Sequence, residues 1–345
     1  MTERYEYSRR RFMTAAAAFG GAAAAVGLAG GARAAGRGGA RVARERRTGD
    51  RLVELTIDSP ALGGQETVVL LTPRGWERRA AGRTWPVLWL LPGGDGDERI
   101  WTEQHLVQDI GELRDTLVVM PGMPLFGFYT DWWNGGAGGP PAVETFHLRE
   151  VLPLLERDYG AGRARAVGGD SQGGFGALSY TARHPGLFRA AASYSGAVHP
   201  LAHPEVWLSG ARYVGVDGTA IFGDPVAQRH VWEAHDPWYL ADALRHTPVY
   251  LAAGDGTAGE LDGPDPEPDP FIPGTEEWVE RLPDDVISLT EAICGIETRA
   301  LADRLIMRGT PVTAHFYPGT HGGTYGRREL RSSMPLLLRA LDGGA

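Results

Sequence analysis

One cysteine, Cys294, stands in 345 residues, so no intrachain disulfide can form and stability has to come from a packed core. The chain has no H-E-x-x-H segment and no Cys/His spacing of a zinc site, which leaves a metal mechanism without support and implies no cofactor. Internal repeats are absent, and no second core is visible. Excess positive charge is missing as well: the formal net charge is −9, which argues against nucleic acid or an anionic membrane as the main partner. What is present is globular. A hydrophobic fraction of 43% and ten tryptophans exclude a disordered chain, and 345 residues suffice for one large core.

The N-terminus reads as an export signal. Ser8-Arg9-Arg10-Arg11-Phe12-Met13 precedes an apolar Ala/Gly-rich run from Ala15 to Gly30, and Ala32-Arg33-Ala34 supplies a small-x-small cleavage site. Paired arginines before a weakly hydrophobic run are the mark of a twin-arginine signal over residues 1–34. The run is too short and too rich in Ala and Gly to hold a bilayer well, so no stable membrane insertion is expected after cleavage. Loss of its five arginines and two glutamates takes the formal charge from −9 to −12. Residues 35–50 are expected to be a disordered basic linker, and residues 51–345 one domain.

Apolar runs of strand length recur along that domain: Val68–Leu71, Val87–Leu91, Leu117–Met120, Ala164–Val167, Ala190–Ala192, Val249–Ala252 and Val312–Tyr317. Continuous rather than alternating apolar strands imply burial on both faces. Helices at Glu144–Tyr159, Gln172–His184, Thr290–Met307 and Arg328–Leu341 would supply the cover. The expected fold class is α/β, with a mostly parallel central sheet, helices on both faces, and a ligand site beyond the carboxyl ends of the strands.

Ser171 lies at such an end, in Gly169-Asp170-Ser171-Gln172-Gly173, between a strand-like and a helix-like segment. The G-x-S-x-G pattern alone is weak, because 49 glycines and ten serines give about 0.2 matches by chance. Its context is stronger. Gly168, Gly169, Gly173, Gly174 and Gly176 leave room for strand, turn and helix backbones to meet, as a nucleophile elbow requires. No lysine precedes Ser171 as a phosphate-binding loop requires, and the spacing is not a dinucleotide fingerprint.

A serine hydroxyl needs a base, and the base needs an acid to orient it. Among ten histidines His321 fits best, on a Pro318-Gly319-Thr320 loop after the last strand. Two acids compete: Asp255 after the strand Val249–Ala252, and Glu291 opening the helix that leads to the last strand. Spacing does not choose between them. Oxyanion donors are expected from the N–H groups of Gln172 and of Gly94, the latter in Leu91-Pro92-Gly93-Gly94-Asp95-Gly96.

With these pieces placed, the chain resembles the esterase family of α/β-hydrolases that holds the secreted mycolyltransferases (the antigen 85 group) and the feruloyl and S-formylglutathione esterases. The resemblance runs from about Leu52 to Leu341. It rests on Met120-Pro121 through Phe128-Tyr129-Thr130-Asp131-Trp132, Glu144-Thr145-Phe146, the nucleophile block ending His184-Pro185-Gly186-Leu187-Phe188, Gly254-Asp255-Gly256-Thr257, and Gly319-Thr320-His321. It implies an α/β-hydrolase fold. Mycolyltransferases carry Asn at the position of Asp255 and use a Glu in the later helix, which implies Glu291 as the acid, with Asp255 as the alternative. The chain departs from that group at Gly322-Gly323, where Ser-Trp is usual, at Gln172 for Met, and at Pro92-Gly93 for Asp-Gly. These departures bear on the sugar-acceptor site.

The expected activity is that of an exported serine carboxylic-ester hydrolase with an acyl-serine intermediate, acting on a small-molecule or lipid or sugar ester. Transfer of the acyl group to a sugar or glycerol hydroxyl, as in the mycolyltransferases or a diacylglycerol acyltransferase, is the alternative, and a non-catalytic secreted binding protein is a third reading. Trp101, Tyr129, Asp131 and Trp132 are the expected substrate-binding residues. Asp262–Pro270, with alternating prolines, is expected to be a polar surface loop near the site rather than a calcium loop.

Overall fold

The computed structural model describes residues 39–342. The export signal, residues 35–38 and the last three residues lie outside the described part. Among the described residues nine strands form one sheet in the order β1-β2-β3-β5-β4-β6-β7-β8-β9. They are β1 (Arg41–Arg47), β2 (Leu52–Ser59), β3 (Gly64–Leu71), β4 (Trp85–Leu91), β5 (Leu117–Pro121), β6 (Ala161–Asp170), β7 (Ala191–Tyr194), β8 (Val249–Gly254) and β9 (Val312–Tyr317). From β5 through β4 to β9 every pairing is parallel; β1, β2, β3 and β5 pair antiparallel. The expected mostly parallel sheet is therefore observed.

Burial explains the two halves. Every residue of β5, β7 and β8 is buried, as continuous apolar strands require, whereas β2 alternates buried and half-buried residues and has one wetter face. The central strands divide their side chains by period two. Val87, Trp89 and Leu91 enter one apolar cluster with Phe175 and Leu301, while Leu88 and Leu90 enter another with Leu330 and Leu337. The covering helices used below are α1 (Leu152–Asp158), α2 (Gln172–Arg183), α3 (Pro204–Tyr213), α4 (Leu289–Met307) and α5 (Gly323–Asp342).

Two expectations are corrected. Residues 41–47, read as disordered linker, form β1: Arg41 and Arg46 pair in register with Asp58 and Glu54 of β2, and both pairs are ion pairs. Composition showed only the charge, not the acidic strand edge waiting for it. The helix expected at Glu144–Tyr159 is interrupted by a π-helical stretch, Phe146–Val151, before α1. Pro153 has no N–H with which to continue the ladder, and the backbone widens just ahead of it.

The segment 201–238 packs Val206, Trp207, Ile221, Phe222 and Trp232 into the main apolar cluster, so it belongs to the body of the domain. Among the described residues no helix is long and apolar enough to cross a membrane.

Candidate active site

Ser171 is the single residue between β6 and α2, with φ 55° and ψ −121°. An L-residue rarely adopts this backbone, and holding it there costs about 1–3 kcal/mol, so the surroundings must enforce it. Ser171 N–H donates to Tyr194 O at 2.9 Å, and its carbonyl accepts from Gly174 and Ala197. Close packing completes the turn. A Cβ at Gly169 would lie 1.9 Å from Gly173 O, and one at Gly173 would lie 1.9 Å from Leu91 O.

His321 follows β9 on the expected loop. Its Nδ1 lies 2.6 Å from Glu291 Oε2, and Glu291, in the first turn of α4, has no accessible surface. The other carboxylate oxygen of Glu291 accepts from Ser195 Oγ at 2.8 Å and from the Gly254 N–H. Ser288 caps α4 and ties the pair together. Its Oγ accepts from the N–H groups of Glu291 and His321, each at 3.3 Å, and donates to Asp269 Oδ2 at 2.8 Å. Asp255 instead closes its own turn, accepting from Thr257 N–H and Oγ1. Of the two candidate acids, Glu291 is the one that meets His321.

Burial opposes charge on His321, but the Glu291 hydrogen bond and the charges of Glu291, Asp170 and Asp269 outweigh it and raise the imidazole to about 9. The Asp262–Pro270 stretch is accordingly more than a solvated loop. Asp262 accepts from Thr320 Oγ1 at 2.5 Å and Tyr325 OH at 2.9 Å, while Asp269 reaches Ser288. These two carboxylates brace the His321 loop from outside.

The loop after β4 reaches Ser171 from the other side. A Cβ at Gly93 would stand 3.6 Å from Ser171 Cβ, and one at Gly94 would lie 2.7 Å from the Gln172 side-chain nitrogen. Gly94 O accepts from Phe126 N–H at 2.7 Å, and Pro92 O accepts from Tyr129 OH at 2.5 Å, so the loop is fixed. The N–H groups of Gly94 and Gln172 have no acceptor among the described residues. Free donors on either side of a serine suit a developing oxyanion.

Two of the four expected substrate residues lie in the core. Trp101 and Tyr129 have no accessible surface, which corrects their assignment: Trp101 packs against His105 at 4.7 Å between ring centroids, and Tyr129 holds Pro92. Aromatic composition near a loop does not reveal which ring points inward. Asp131 binds Thr145 N–H and Oγ1, and the Trp132 indole donates to Gly127 O, so both hold the 127–145 segment. Ser195, Ser288 and Asp269 were not anticipated. Ser288-Leu289-Thr290-Glu291 has the S-x-x-E form of a capping box, a signal that could have found Ser288; nothing local marks the other two.

Residues 59–336 match the model of the Esterase family, described as "Putative esterase". Esterase Rv1288 of Mycobacterium tuberculosis is 29% identical over 301 residues, covering 82% of this chain and 58% of the relative, so the chain spans little more than half of that protein. Among solved structures, MPT51 of Mycobacterium tuberculosis superposes with a TM-score of 0.60 at 22% identity, covering 82% of this chain and 96% of that one. An S-formylglutathione hydrolase from Agrobacterium tumefaciens superposes with a TM-score of 0.62 at 14% identity, covering 87% and 99%. At such identities the structural likeness is one of fold.

Proposed function

This chain belongs to the esterase family of α/β-hydrolases, and on that footing we propose that it is a serine carboxylic-ester hydrolase working through an acyl-Ser171 intermediate. Ser171 Oγ attacks the ester carbonyl while His321, oriented by Glu291, takes its proton. The Gly94 and Gln172 N–H groups receive the oxyanion. His321 then returns the proton to the departing alkoxide, and water repeats the sequence on the acyl-enzyme. The observation that carries this reading is the strained backbone of Ser171 at the β6–α2 junction, which a structural turn would not need.

Hydrolysis is favoured over transfer to a sugar or glycerol. Gly322 and Gly323 follow His321 and offer no aromatic wall to an acceptor, and Trp101 and Tyr129 are enclosed in the core. The leader at residues 1–34 supports export by the twin-arginine route, with Ala35 as the mature N-terminus. N-terminal sequencing of exported protein checks that boundary.

Intact mass after brief exposure to p-nitrophenyl butyrate tests the chemistry. An acyl adduct on the parent protein, absent from Ser171→Ala and discharged by water, is expected. Discharge only by added trehalose or glycerol, with a new ester formed, would make the protein a transferase. Wild-type turnover by Ser171→Ala would overturn the mechanism.

A further inference from the structure

The two edges of the sheet are built differently. At one edge β1 carries Arg41, Arg44, Arg46, Arg47 and Glu45, the charged composition that keeps an open edge from pairing. At the other, among the described residues, β9 pairs only with β8, and Val312-Thr313-Ala314-His315-Phe316-Tyr317 contains no Asp, Glu or Arg. Thr313, Ala314 and His315 are exposed. Proline stands immediately before and after this strand, at Pro311 and Pro318, and neither interrupts it.

Helix α4 lies over the same edge, with the Arg299 guanidinium 4.1 Å above the Phe316 ring. Seven large apolar side chains are exposed in the described molecule, and three of them, Ile296, Ile306 and Met307, are on α4. Ile296, Arg299, Asp303 and Ile306 follow one another at intervals of three, four and three residues, which places them on one helix face, and all four are exposed. Neither Arg299 nor Asp303 has an ion-pair partner among the described residues.

This face is complementary to itself. A two-fold axis perpendicular to the sheet reverses strand direction while keeping each α4 on the same side, so two copies would meet with β9 and α4 both antiparallel to their mates. Centred on Leu301, the helix pairing sets Ile296 against Ile306 of the second copy and Arg299 against its Asp303, and each contact occurs twice. Centred on Ala314, the strand pairing sets Val312 against Phe316 and Thr313 against His315, so side chains of the same face meet.

We propose that the chain forms a homodimer with a second copy of itself through antiparallel β9–β9 pairing, locked by the Ile296-Arg299-Asp303-Ile306 face of α4. Glu291 opens α4 and His321 follows β9, so the interface would join the two elements that carry the His–Glu pair.

Sedimentation equilibrium of the purified protein, with circular dichroism to show that each variant is folded, tests the proposal. The parent protein should sediment at twice the chain mass at micromolar concentration. Asp303→Arg sets arginine against arginine at both symmetric contacts and should weaken association at least about tenfold, the cost of a mismatched charge pair. The double exchange Arg299→Asp with Asp303→Arg restores opposite charges and should restore the dimer. A parent protein that stays monomeric at about 100 μM, where a Kd of about 1 μM would leave it almost wholly dimeric, overturns the proposal. So does an Asp303→Arg dimer as tight as the parent's, or a double variant no tighter than the single one.

Discussion

His321 Nδ1 and Glu291 Oε2 stand 2.6 Å apart, and the glutamate is closed off from solvent, anchored by Ser195 and Gly254. Glu291→Gln preserves the shape and removes the charge that fixes the imidazole tautomer and stabilises the imidazolium. Turnover of p-nitrophenyl butyrate should fall by about 10³-fold or more, with the fold retained, as judged by circular dichroism. Asp255→Asn, which touches only its own turn, should leave turnover within about threefold of the parent, a surface-scale effect.

The same pair sets the pH dependence. In the proposed mechanism His321 has to be neutral to accept the serine proton; against burial, the Glu291 hydrogen bond and the charges of Glu291, Asp170 and Asp269 hold it protonated to about 9. Therefore kcat/KM should rise with pH to a plateau above about 9. Stability runs the opposite way. An imidazole raised from 6.5 to about 9 contributes fully below 6.5, and that contribution is lost as pH climbs through 9. Asp269→Asn removes one of the three negative charges and should move the acid limb of the kinetic profile downward.

Gly173 admits no side chain. A Cβ there lies 1.9 Å from Leu91 O and 2.6 Å from Pro92 O, so Gly173→Ala must part α2 from the end of β4. A loss of about 3 kcal/mol or more is expected from urea denaturation, with activity abolished because the loop proposed to hold the oxyanion moves with Pro92.

Cys294 sits one helical turn beyond Glu291 and is buried. Burial first, then the nearby charges of Glu291 and Glu297, push its thiol well above the ordinary range. The folded protein should release no chromophore from a disulfide reagent at pH 8, and unfolding in guanidinium should expose one equivalent. A fast native reaction would show that α4 opens.

Much of the sheet was legible in the chain because burial on both faces writes a continuous apolar run, and β4, β5 and β8 carry one. Strand β1 was not, since a basic run looks the same solvated or paired, and only Asp58 and Glu54 on β2 make it a strand. Trp101 shows the same limit at the site. Its neighbours in sequence suggested a substrate wall, while its contacts in space are those of a core residue.

By itself the sequence determined the turn at Ser171, because small residues on both sides of a strand–helix junction are a local steric requirement. It determined the α/β class for a similar reason, since periodicity of burial is local too. Tertiary structure decided which acid meets His321 and what braces it. The decisive partners lie far apart along the chain: Ser195 and Glu291 are 96 positions apart, His321 and Glu291 are 30, and Ser288 and Asp269 are 19. Such contacts exist only once the sheet has brought the ends of β7, β8 and β9 side by side. A carboxylate's neighbours in sequence do not say which donors will face it.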